Sequence, residues 1–330
     1  MQLQESNIKI DNNYLFEYVF IFFPFVRGIK SLSPLTGNIE QVSLGGTDRM
    51  LMTKKSFRIL MIILIIITLV AIGLIVYPTI SKIVTTQQAV DETESFDEQV
   101  QNIIDISNDG NTEDNLSEQT SKLFESAYNQ GLIDSEGYAI NSSGVRTSDY
   151  PVYFKQNLDR LYQDSIVYNN SLIKTQQEQL NENSYTNTAI KLSDYGIYNN
   201  QYGYVSAPSI NLQLPIYLGA NDNSMNYGAA HLCYTSLPII DDSCNTTNTV
   251  LAAHTDYIGR VFFDNIKNLS IGDNVTVTNF WNTIHYKVIS KGVYKPNDSK
   301  AIYLSEEENL LTLITCTNNG AERYIVVCKA

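Results

Sequence analysis

The chain has 330 residues, a formal charge of −13 and 43% hydrophobic residues, which is length enough for one or two domains. The acidic balance argues against nucleic-acid binding, which wants a basic face. Four cysteines in 330 residues do not make a disulfide framework, so each thiol is weighed by itself.

Residues 1–58 read as a tail. Its one apolar run, Phe20 to Val26, is short and broken by Pro24, and carries no assigned role. Ile59 to Tyr77 is different: 19 residues without a charge, which at ~1.5 Å per residue span roughly the 30 Å core of a bilayer. Lys54, Lys55 and Arg58 crowd its N-terminal side, against Lys82 alone on the other. The positive-inside rule then leaves 1–58 in the cytoplasm and 78–330 outside a single-pass helix. A full-length apolar run and the poor cleavage sequence Tyr77-Pro78-Thr79 favour an uncleaved anchor over a signal peptide, and Pro78 is read as its end.

Residues 78–150 read as an acidic extracellular stalk. From Asp91 to Glu118 there are ten carboxylates and no Lys or Arg. Such a run cannot bury enough apolar surface to fold alone, and it lacks the Gly-centred spacing of a calcium loop. Residues 151–330 read as a catalytic domain. It opens on a helix over 154–180, with Leu158, Leu161, Ser165, Tyr168 and Leu172 recurring at three- and four-residue steps. From about 202 the pattern changes to short β-runs divided by turns: 202–205, 212–217, 249–253, 275–277, 284–288, 310–316 and 323–327. Many short strands with turn signals predict a mainly β fold, a barrel or a sandwich.

The chemistry gathers at strand ends. Cys316 closes the run Leu310 to Thr315, and after the polar loop Thr317 to Glu322 the next run opens with Arg323, so a hairpin brings thiol and guanidinium together. His254 follows the apolar run Val250-Leu251-Ala252-Ala253 and begins a polar loop. His231 also precedes a loop, whereas His285 sits inside an alternating strand. A thiolate nucleophile attacking a peptide carbonyl needs a proton donor for the leaving amine and a donor for the oxyanion. Cys316, His254 and Arg323 could fill those roles; each taken singly also fits a packed or solvated residue. Cys233 and Cys244 flank one loop and fit either a disulfide or two free thiols. Cys328 lies too far along the hairpin to face Cys316. No C-x-x-C pair is present, so neither metal nor cofactor is expected.

Thr312-Leu313-Ile314-Thr315-Cys316, with Arg323 seven residues on, resembles the signature of sortases, membrane-anchored cysteine transpeptidases of Gram-positive bacteria. His254, Phe263, Leu269 and Gly272-Asp273 resemble the family's histidine loop and the segment after it. Leu214-Pro215-Ile216-Tyr217 and His231 to Pro238 are similar to the pilin-associated class C. The likeness covers about 153–330. It implies an eight-stranded β-barrel with N-terminal helices. It further implies cleavage of an LPXTG-like sorting signal between Thr and Gly, and transfer to an amine supplied by a pilin Lys or a cell-wall peptide. In that scheme Cys316 is the nucleophile, His254 the general acid and base, and Arg323 the group holding substrate and oxyanion. The sequence departs from the family in Ala253 and Thr255, where Gly and Arg are common, and in having no Asp-Pro lid element. With the chain stopping at Ala330, the barrel is expected to be held from its N-terminal side only. The rivals are a housekeeping-type sortase anchoring proteins to the wall, and a non-catalytic surface-binding module on a stalk. Another cysteine-based wall enzyme fits less well, because its histidine is expected close before the cysteine and His254 lies 62 residues upstream.

Overall fold

The computed structural model describes residues 54–106, 115–180, 185–298 and 300–330. Most of the tail 1–58, including the Phe20–Val26 run, lies outside the described residues, as does part of the acidic stretch. The chain divides into two units at Gly73, and every feature from Gly73 onward belongs to the second.

Helix α1 runs over Lys54–Gln101, with Pro78 inside it. Its apolar segment is one helix long and apolar enough to cross a membrane, consistent with a membrane anchor. Pro78 was read as the end of the span. It does not end the helix, although an interior proline costs about 3 kcal/mol. The turns beyond it dock on the β-domain, with Ala89, Thr93 and Phe96 buried on one stripe, and that burial offsets the proline.

Among the described residues, 91–101 of the acidic stretch lie on this docked helix, where composition suggests a solvated stalk. Phe96 is fully buried, its ring 5.0 Å from Phe280 and 6.1 Å from Tyr204. Neighbouring carboxylates are used by tyrosines of the β-domain: Tyr204 donates to Asp97 and Tyr217 to Glu92, each at 3.0 Å. Partial burial raises the pKa of both carboxyls, and the tyrosine hydrogen bonds only partly offset it. Helix α2, Leu116–Asn129, starts on Asn115, whose side chain accepts from Glu118 N–H at 2.9 Å. The hairpin β1 (Tyr138–Ile140) and β2 (Arg146–Pro151) follows, tied by Arg146 to Asp134 at 2.5 Å and to Glu136.

Helix α3 covers Lys155–Gln179, as its periodicity predicts, burying Leu158, Leu161, Ser165, Ile166, Asn169, Leu172 and Gln176. Tyr168 is half-buried and accepts Tyr234 N–H at 2.8 Å through its hydroxyl. After α3 comes the barrel: β3 (Gln201–Ala207), β4 (Leu212–Leu218), β5 (Ala229–His231), β6 (Thr247–Ala252), β7 (Asn274–Asn279), β8 (Thr283–Tyr294), β9 (Asn309–Thr317) and β10 (Glu322–Lys329). It closes in the order β10-β8-β7-β3-β4-β5-β6-β9. All pairs are antiparallel except β4–β5 and β6–β9. Alternate residues fill the interior, among them Val205, Leu214, Leu251, Val277, Leu311, Leu313, Val326 and Cys328. The strands read from sequence are present with longer ends. The three-residue β5 was not anticipated.

Candidate active site

Strand register decides what surrounds Cys316. On one side, Arg323 of β10 is its Cα partner in the antiparallel β9–β10 ladder. On the other, β6 runs parallel to β9 with Leu251 opposite Leu313 and Ala252 opposite Ile314. The contact continues past the end of β6: Ala253 N–H donates to Ile314 O at 3.2 Å, and Thr315 Oγ1 donates to Ala253 O at 2.8 Å. His254 and Cys316 are the residues that follow these contacts on the two segments, so parallel pairing carries the strand ends on which they sit, 62 residues apart in sequence, to the same end of the barrel.

The face follows from the same alternation. Leu311 and Leu313 point into the barrel, so Thr312, Ile314 and Cys316 lie on its outer face. Arg323 shares that face with Ile325, and Ala252, two residues before His254, packs against it. Leu232, Val250, Ile302, Ile314 and Ile325 form an apolar floor there. The connection between β8 and β9 folds over part of it. Asn248 Nδ2 donates to Ala301 O and Tyr303 O at 2.9 and 3.0 Å, and Thr312 Oγ1 lies 2.9 Å from Asn248 Oδ1 and 3.0 Å from Ala301 O. Leu304 N–H donates to Gln176 of α3 at 2.9 Å.

The β9–β10 turn is set by its residues. Asn318, Asn319 and Gly320 have φ of 51°, 53° and 86°, a left-handed run that Asn tolerates and Gly adopts freely. Arg323 Nη1 donates to Gly320 O at 3.0 Å and Glu322 O at 3.1 Å. The guanidinium is thus held back against its own turn, with its other donors available.

His254 opens a closed loop that Phe263 N–H ends by donating to His254 O at 2.9 Å. Its ring stacks on Tyr257 at 5.2 Å and meets Phe262 edge-on at 6.0 Å. The Asp264 carboxylate accepts from Asp256 N–H at 3.1 Å and Phe262 N–H at 2.9 Å. Gly259, with φ +79°, accepts Ser81 Oγ at 3.0 Å and Thr85 Oγ1 at 2.9 Å from α1. A Cβ on Gly259 would stand 2.5 Å from Ser81 Oγ, so only glycine permits this approach.

The other histidines part company with His254. His285 is exposed on β8, opposite Thr276. His231 is fully buried, and burial pushes its pKa down to about 4. The cysteines separate in the same way. Cys316 is half-exposed, while Cys233, Cys244 and Cys328 are buried and free, with no disulfide between Cys233 and Cys244. Burial raises all three buried thiols, Cys328 to about 12, which keeps them protonated at neutral pH. Of the residues that build this site, Asn248, Gly259, Ser81 and Thr85 carry no motif. Their part follows from pairings between segments distant in the chain.

The sortase-domain model matches residues 205–330, from within β3 to the last residue of the chain. Sortase D of Bacillus subtilis (strain 168) is 26% identical over 132 residues, covering 38% of this chain. The chain spans 62% of the length of that curated relative. Among solved structures, a sortase C1 of Streptococcus agalactiae is 26% identical, with a TM-score of 0.48 over 53% of this chain and 90% of that one. A sortase C of Clostridium perfringens SM101 is 28% identical, with a TM-score of 0.43 over 53% and 89%. The matched segment holds the barrel from within β3 onward and all three of Cys316, His254 and Arg323, and residues 205–330 are similar to a sortase domain.

Proposed function

We propose that this chain is a sortase transpeptidase that cleaves an LPXTG-like sorting signal between Thr and Gly and joins the Thr carbonyl to an amine. The observation that carries the reading is the register around Cys316, with Arg323 opposite it on β10 and the end of β6, two residues before His254, paired with Ile314 of β9. Cys316 Sγ attacks the Thr carbonyl carbon, forming a C–S bond, and Arg323 takes the oxyanion charge. As the C–N bond to Gly breaks, His254 gives its proton to the leaving amine. The thioester then meets the acceptor amine, whose proton passes to His254 as a new C–N bond forms and the Cys316 thiolate leaves. Arg serves only as the electrostatic member, since a guanidinium has only donors and cannot act as a base.

The finer reading is a pilin-associated enzyme whose acceptor is a pilin Lys. Its support is the likeness of Leu214 to Tyr217 and of His231 to Pro238 to class C. The catalytic domain is on the outer side of the membrane, the side opposite the basic residues that precede the apolar helix. The test is a panel of sorting peptides offered to the chain with either a wall-peptide amine or a pilin-type Lys peptide. A product with the Lys peptide alone supports pilus assembly. A product with the wall peptide alone sinks it in favour of anchoring, and no cleavage of any peptide sinks the transpeptidase reading.

A further inference from the structure

The apolar character of α1 does not stop at Pro78. Tyr77, Ile80 and Ile83 are 66%, 55% and 64% exposed, on turns whose other side is taken by Ser81 and Thr85. Those two hydroxyls hold Gly259 of the His254 loop. The residue before Gly259 is Ile258, 81% exposed, preceded by Tyr257, whose ring packs on His254 and Phe262. Exposed apolar side chains on these turns and beside Gly259 are a mark of an interaction surface.

Helix geometry says what covers them. Ser81 lies four residues past Tyr77, ~6 Å along the axis. The headgroup layer outside the hydrocarbon core is about 5–8 Å deep on each side. With 59–77 spanning the core, the turn of α1 that grips Gly259 stands in that layer. Lys82 on the same turn supplies a cation for lipid phosphates, and tyrosine favours this depth. We infer that Ile258 inserts into the interfacial layer of the bilayer that carries α1, so that the loop bearing His254 is itself a membrane-contact surface. The partner is the lipid headgroup layer. The inference concerns membrane contact and stands apart from what the site catalyses.

The full chain is reconstituted in phospholipid nanodiscs. In the Trp281→Phe background, which removes the one tryptophan, Ile258→Trp should emit at shorter wavelength than in detergent-free buffer mixtures of the loop peptide. Its emission should be lost with lipids brominated near the headgroup. Tyr77→Trp in the same background should be quenched too. Quenching at position 77 without quenching at 258 overturns the contact, and quenching at neither overturns the membrane placement beneath it. The unmodified chain supplies a second readout that depends on no substitution. A photoactivatable phospholipid should label the peptide containing Tyr257-Ile258 as well as the apolar helix. Label confined to the apolar helix overturns the inference.

Discussion

His231→Gln gives a test of how deeply the barrel controls its ionisable groups. His231 Nε2 lies 3.0 Å from Ser236 O, a carbonyl that can only accept, so Nε2 carries the proton. Nδ1 is buried with no partner in the protein, and a second proton there would place a charge in the core. Burial accordingly lowers the pKa from the ordinary 6.5 to about 4. The sign follows from counting protons. Between those values the unfolded chain binds a proton that the folded chain refuses, so stability is full above pH 6.5 and falls as the pH drops towards 4. A window of ~2.5 units at 1.36 kcal/mol each gives about 3 kcal/mol, a large part of the ~5–15 kcal/mol of a typical domain. Glutamine can still donate to Ser236 O and does not titrate. Denaturant midpoints of the detergent-solubilised chain and its His231→Gln variant, taken from pH 7.5 to 4, should show the wild type losing about 3 kcal/mol more than the variant. Parallel pH curves, or a wild type that gains on the variant at pH 4, would refute a neutral buried His231.

Phe96→Ala removes a fully buried ring from the contact between α1 and the barrel. It should cost about 3–5 kcal/mol by denaturation, and a loss under 1 kcal/mol would restore the solvated-stalk picture. Ser81→Ala combined with Thr85→Val removes both donors to Gly259. Amide exchange across 255–263 should speed up by roughly tenfold or more if each bond is worth ~1 kcal/mol, while the barrel strands keep their protection. Unchanged exchange in that loop would remove α1 as its clamp. Arg323→Lys should lower kcat/KM for a sorting peptide by at least about tenfold, because a point charge cannot replace a planar fork. Wild-type turnover would take Arg323 out of the mechanism.

Much of the site was legible because it follows the chain locally. Only the six residues 317–322 separate Cys316 from Arg323, and alternation with the Asn318-Asn319-Gly320 turn suffices to pair them. His254 could be placed at a strand end, but not beside Cys316. The parallel β6–β9 pairing that sets Ala252 beside Ile314 joins segments about sixty residues apart, which no local periodicity encodes. The docked half of α1 was illegible for a different reason. Its buried stripe is Ala89, Thr93 and Phe96, a weak apolar signal inside a run of carboxylates. Two of those carboxylates find tyrosine hydroxyls on β3 and β4, partners that composition could not reveal. The hairpin β1–β2 lacks the β-branched runs that mark a strand, and rests instead on turn glycines and on Arg146 between two carboxylates.

The central claim is that Cys316 carries the acyl group. The full chain incubated with an LPXTG-type peptide, quenched in acid and digested, should yield the Cys316 peptide heavier by the substrate fragment ending at Thr. The adduct should disappear on adding hydroxylamine and be absent from Cys316→Ala. Peptide cleavage that persists in Cys316→Ala, or an adduct on Cys233, Cys244 or Cys328 in place of Cys316, would contradict the account.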